Sequence, residues 1–234
     1  MKKILIIIVI FILAVCRGGG LKGEDITGFE LNREEYKYSH EKFDQFKNRL
    51  REHMKEVDTI SFDFLQKSYI AASTRTVKAK IKFKRPEKLF MKYTRPSPQN
   101  IIFSEGTLYT YVPSINQATR QKSKSISGIL GTSASLIISD TPFEDLSQNF
   151  SLTGYKINSD LFLLRAEPLQ KQKHNFEHMD IFVNTARYLP RKTVVTGENF
   201  KSVTEFSEYK INLQLEDSIF SLKEEEGINI INIK

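Results

Sequence analysis

Four histidines, one cysteine and a scatter of carboxylates are the side chains of this 234-residue protein that could hold a metal, attack a carbonyl or move protons. His174 and His178 have the i, i+4 spacing of a helical zinc pair, but they lie at the entrance to a strand and no third ligand accompanies them, so no metal is expected. Cys16 is the sole cysteine, which excludes an internal disulfide and a cysteine-based metal cage. No G-x-S-x-G elbow, Walker loop or dinucleotide fingerprint occurs, and Gly18-Gly19-Gly20 reads as a spacer at a processing site. Asp44 near Arg51, and Glu224 to Glu226, sit on solvated stretches. No catalytic constellation remains, so a protein that is not an enzyme and needs no cofactor is expected.

What the chain does repeat is apolar surface at a period of two. From Lys84 to Pro113, Leu89, Met91 and Tyr93 alternate with Lys88, Phe90 and Lys92, Ile101 and Phe103 follow, and Leu108 opens a third run with Tyr109 and Tyr111. Arg95-Pro96-Ser97-Pro98 and Ser104-Glu105-Gly106 punctuate them as turns. Both faces of these strands are rich in apolar or aromatic residues, so greasy material is expected on two sides.

The elements that position this stretch follow in order. Phe43, Phe46, Leu50, Met54 and Val57 recur at helical spacing, which predicts an amphipathic helix over 39–57 with Ser39 as N-cap. Strands are expected from Ile60 to Tyr69 and over Val77, Ala79, Ile81 and Phe83, then from Ile115 to Gln121. Ile126, Ile129, Leu130, Ala134, Ile137 and Ile138 fit a loose helix weakened by Gly128 and Gly131, and Thr141-Pro142-Phe143-Glu144 starts a short helix to Gln148. Strands return at Phe150–Lys156, Leu161–Glu167, Met179–Asn184, Tyr188–Thr196 and Val203–Leu215.

The expected fold is mainly antiparallel β with α: a strongly curved, half-open barrel of about ten or eleven strands, because a flat open sheet does not hold that many. The N-terminal amphipathic helix and a helical lid over 125–148 would close an apolar cavity. Its candidate lining is Leu89, Met91, Tyr93, Ile101, Phe103 and Leu108 from the sheet, with Ile129, Leu130, Ile137 and Ile138 from the lid.

Lys2 and Lys3 before the apolar run Ile4 to Val15 match a secretory signal, too short to span a bilayer comfortably. Export to the periplasm follows, with residues 1–16 (or 1–20) as signal peptide, 17–38 as a flexible tether and 39–234 as one domain. Cleavage falls after Cys16 or after Gly20. Alternatively Leu13-Ala14-Val15-Cys16 is a lipobox and Cys16 carries lipid. The formal charge of +7 drops to about +5 without Lys2 and Lys3, a modest excess open to an anionic membrane, an acidic partner or plain solvation; export argues against nucleic acid.

In its motifs the chain resembles the periplasmic outer-membrane lipoprotein carrier family, the LolA type. The resemblance runs from about Phe62 to Phe220 and is carried by KRPEKLFMKY at Lys84–Tyr93, by SEGTLYTYVPSINQA at Ser104–Ala118, by Tyr188-Leu189-Pro190-Arg191 and by Ser218-Ile219-Phe220. It implies a monomeric chaperone that shelters the acyl chains of a lipoprotein cargo, receives it from an inner-membrane lipoprotein-releasing ABC transporter and passes it to an outer-membrane receptor. It also implies that Arg85 latches the lid and that Leu89 stands at the cavity rim. The family's tryptophans are replaced by Met91 and Tyr109. Two other functions fit the same half-barrel: a membrane-anchored lipoprotein receptor, or a regulatory lipid or protein sensor, which normally carries a further C-terminal domain.

Overall fold

The structure is a computed structural model that describes residues 37–123, 126, 136–137, 139, 142–170, 174–222 and 227–233. Its first helix, α1 (His40–Lys55), begins where Ser39 accepts a hydrogen bond from the Lys42 amide, and its stripe of Phe43, Phe46, Leu50 and Met54 is buried. A stripe of that width requires an apolar partner, and a single curved sheet supplies it.

The sheet grows from two meanders. The first comprises β1 (Thr59–Ile70), β2 (Ser73–Lys84), β3 (Lys88–Arg95), β4 (Gln99–Ser104), β5 (Thr107–Val112) and β6 (Gln117–Lys122). The second comprises β7 (Phe150–Lys156), β8 (Leu161–Pro168), β9 (His178–Asn184), β10 (Pro190–Gly197) and β11 (Phe200–Ile211). β11 returns to pair with β1, and β12 (Asn229–Ile233) adds parallel to β6, giving the order β12-β6-β5-β4-β3-β2-β1-β11-β10-β9-β8-β7. Since β12 and β7 do not meet, the sheet stays open.

Among the described residues twelve strands thus stand where ten or eleven were expected, and the extra one is β12. Ile115 belongs to a 3-10 turn, Pro113–Ile115, that precedes β6 instead of opening it. Tyr188 has φ +52 and turns the chain before β10, while β11 stops at Ile211, short of Leu215. The short helix is α2 (Pro142–Ser147), with Phe143 and Leu146 buried. Of the longer helix expected over 126–138, most lies outside the described residues; Leu136 and Ile137 are helical and buried. Lys37 and Tyr38, assigned to the tether, are part of the fold: Lys37 bridges Tyr155, and the Tyr38 amide donates to the Gly154 carbonyl at 2.9 Å.

Between β11 and β12 the chain must cross from the middle of the sheet to its far side, and it does so as a strap over the outer face. The 3-10 turn Asp217–Phe220 packs on β3 and β4 and buries Phe220, while Lys84 and Lys88 both hold Asp217. One of the two greasy faces expected for β3 to β5 is thereby partly covered. Asp44 pairs with Lys47 at 2.6 Å, whereas Arg51 pairs with Glu144 and ties α1 to α2.

Candidate functional site

Alternation along each strand and register between strands together decide which side chains share the face that α1 covers. Two rows, apolar except at Thr110, run across five strands. One is Ile60, Phe83, Leu89, Phe103 and Leu108; the other is Phe62, Ile81, Met91, Ile101 and Thr110. A shorter row sets Phe64, Ala79 and Tyr93 beside them. All six sheet residues expected to line a cavity, Leu89, Met91, Tyr93, Ile101, Phe103 and Leu108, therefore stand on one inner face.

Five of those six are buried in one core, and Ile101 is half-buried against it. Leu136 and Ile137, from the segment that follows β6, join the same core. Ile129, Leu130 and Ile138 lie outside the described residues, as does Cys16. Leu136 escaped the helical pattern because the spacing set chosen there passed through Ala134 and Ile137. Ile60, Phe62 and Phe83 were legible as strand residues, and only register reveals that they extend the same rows.

Over β7 and β8, α1 lies close: the Phe46 ring stacks on Phe162 at 3.7 Å, and Phe43 stacks on it at 6.0 Å. Gly154 makes that approach possible, since a Cβ there would come within 2.7 Å of both Phe43 and Phe162. Ile126, Leu136 and Ile137, from the segment after β6, belong to the same core. Toward the β1–β2 hairpin the face turns polar, where Gln66 donates to Ser202 at 2.8 Å and Ser68 lies 3.0 Å from Ser202.

Arg85 stands where β2 leaves the sheet, before a cis Arg85–Pro86 bond. Its Nε donates to the Val57 carbonyl at 2.7 Å and a terminal nitrogen to the Met54 carbonyl at 3.2 Å, while its amide donates to the Asp58 carbonyl at 2.9 Å. These carbonyls belong to the end of α1 and the turn after it; the Met54 carbonyl also accepts from the Val57 amide at 3.3 Å, so the guanidinium adds a second, charged donor at the helix C-terminus. Arg85 therefore fastens α1 to the sheet rim; residues 127–135 of the expected lid lie outside the described residues.

The site's phenols are neutral. Burial pushes Tyr93 up to about 12, and Tyr209, also pushed up by burial, donates to the Pro190 carbonyl at 2.7 Å. The histidine pair is not on a helix: His174 rests beside Phe150 and Phe176, and His178 opens β9 with Nε2 3.7 Å from Asp180. Such a site can shelter hydrocarbon and holds no arrangement for proton transfer among the described residues.

Residues 55–223 match the family model described as outer membrane lipoprotein carrier protein LolA. An outer-membrane lipoprotein carrier protein of Albidiferax ferrireducens is 27% identical over 192 residues, covering 76% of this chain and 86% of its own. One from Coxiella burnetii is 27% identical over 147 residues, covering 63% and 67%. Among solved structures, an uncharacterized conserved protein from Thermus thermophilus superposes with a TM-score of 0.55 at 9% identity, over 82% of this chain and 99% of its own; the likeness is one of fold.

Proposed function

The chain belongs to the outer membrane lipoprotein carrier protein LolA family, and on that premise we propose that it is a periplasmic chaperone that carries the acyl chains of lipoproteins on its inner face. The observation that supports this most directly is the pair of largely apolar rows across β1 to β5, with Ile101 left half-buried on one of them. Each buried CH₂ contributes about 0.8 kcal/mol, so an acyl chain of about sixteen carbons would lose roughly 12 kcal/mol on entering water. Transfer across an aqueous compartment therefore calls for a shelter of this kind.

Cargo arrives from an inner-membrane lipoprotein-releasing ABC transporter and leaves toward an outer-membrane receptor. Arg85 serves as a latch on α1, not on the segment 125–148: its hydrogen bonds to the Val57 and Met54 carbonyls contribute about 1.5–3 kcal/mol each, less than an acyl chain gains by entering. Closure of the apolar face then competes with cargo and keeps handover downhill. The lining consists of Leu89, Met91, Tyr93, Ile101, Phe103 and Leu108, together with Ile129, Leu130, Ile137 and Ile138.

A fluorescent triacylated lipopeptide tests the reading. Ile101→Asp, at a half-buried position, should weaken its binding at least about tenfold and leave the circular dichroism spectrum unchanged, since a charge in an apolar site must be dehydrated. A folded wild type that does not bind the lipopeptide would overturn it. Arg85→Leu should load cargo at least as well as wild type and release it poorly to acceptor vesicles; transfer at the wild-type rate removes the latch.

Leu13-Ala14-Val15-Cys16 supports a second reading, a receptor of the same fold anchored through lipid on Cys16. Mass spectrometry of the natively exported protein separates the two, because an anchored receptor begins at an acylated Cys16 and a shuttle does not.

A further inference from the structure

The outer face of β2 and β3 carries lysines that neither the core nor the inner-face site uses. Alternation on β2 sends Lys78, Lys80, Lys82 and Lys84 outward, and register places Lys92 beside Lys80 and Lys88 beside Lys84. Neighbours in such a grid lie about 7 Å apart along a strand and about 5 Å across, inside the Debye length of physiological salt. Like charges directly opposite one another destabilise a sheet, so apart from the lysines that hold a carboxylate the fold gives no reason for this arrangement.

Part of the charge is spent internally. Asp217 of the strap lies 2.7 Å from Lys84 and 2.9 Å from Lys88, and Asp63 lies 3.3 Å from Lys80. Lys78 and Lys92 remain exposed, and Lys82 is half-buried opposite Phe90, with Lys80 standing between it and Lys78. These three project from adjacent strands, β2 and β3, on one face.

We propose that this face docks on an anionic lipid surface. The choice of occupant rests on the kind of cation. Protein interfaces are depleted in lysine and enriched in arginine and aromatic residues, and bidentate recognition of one carboxylate or phosphate calls for a guanidinium fork. Apart from Arg95, which faces Lys78 at its end, the grid is made of lysine, a mobile point charge. What rewards mobile point charges in number is a diffuse field of anionic headgroups, which attracts each lysine by about the same amount wherever it settles. Docking is independent of the cargo reading and stands even if the inner face binds nothing.

Flotation of the natively exported mature protein with vesicles tests it. Wild type should bind phosphatidylcholine–phosphatidylglycerol vesicles, release as salt rises, and ignore phosphatidylcholine alone. The triple change Lys78→Gln, Lys82→Gln and Lys92→Gln should weaken binding about a hundredfold, roughly fivefold per lysine. An equal loss of charge elsewhere, Lys42→Gln, Lys55→Gln and Lys156→Gln, should weaken it by less than about fivefold. If the first triple variant fails to fold, Lys78→Gln and Lys92→Gln singly should each show the fivefold effect. Equal binding to both vesicle types, equal losses from the two triple variants, or retention of a soluble acidic protein with no vesicle binding would each overturn the proposal.

Discussion

Strands β2 and β3 turn Lys78, Lys80 and Lys92 outward into solvent, whereas β8 and β9 turn Leu163, Arg165 and Asp180 outward and bury them. Both pairs of strands alternate, and both give their other face to the common core. In the second pair, opposite charges face each other in register: Arg165 donates to both carboxylate oxygens of Asp180 at 2.6 Å, a fork-to-fork pair whose Arg165 side chain keeps one buried terminal nitrogen without a partner. In the first pair like charges face each other and stay wet. A charge inside a dry surface must be matched where it stands, while a charge in water is available to something that approaches later.

The comparison breaks most visibly at the buried pair. Asp180→Ala should cost about 3–5 kcal/mol, because a buried guanidinium is left without its carboxylate, and thermal unfolding should fall by roughly 10 °C. Replacing both partners, Arg165→Met with Asp180→Leu, should restore most of that loss; a double variant as unstable as the single one would show that the pair does more than match charge. Next comes the inner face. Gly154→Ala sets a methyl against two phenylalanine rings and should cost about 1–3 kcal/mol by urea unfolding, lifting α1 from β7. The triple lysine variant on β2 and β3 should stay within about 0.5 kcal/mol per site of wild-type stability, which is what separates a surface kept for a partner from one kept for the fold.

The smallest effect is one of pH. Hydrogen bonds from Lys84 and then Lys88 hold the Asp217 carboxyl down to about 2, below its ordinary value. A depressed folded-state value contributes stability that is present above the unfolded carboxylate range, near 4, and is lost as pH falls through about 2. Asp217→Asn should flatten the acid limb of urea midpoint against pH in that window by lowering the neutral-pH midpoint slightly toward its acid value, a small change because the group is fully exposed.

Those effects sort by how visible each feature is in the sequence. The helical stripe from Phe43 to Met54 and the alternation of Leu89, Met91 and Tyr93 are local, and both are found where their spacing places them. Arg165 opposite Asp180, and Arg51 with Glu144, depend on register and on packing between elements far apart in the chain, which spacing alone does not determine. β12 escapes a reading of spacing because Asn229–Ile233 is short and pairs with a strand more than a hundred residues earlier, in parallel, after a crossing that no local signal announces. Arg85 is legible as a rim residue; its carbonyl partners at the end of α1 emerge only once helix and hairpin meet.

An open sheet leaves two rows of backbone groups that a second copy could extend, so polymerisation is its standing hazard. Lys37 and Tyr38 cap part of the row on β7, and β12 lies along β6 as a strand of five residues with asparagines at Asn229 and Asn232. A short polar edge is a poor template for cross-β growth. Trimming residues 227–233, or fusing a rigid tag where they pair, should bare β6 and raise edge-to-edge association, read as increased light scattering at equal concentration.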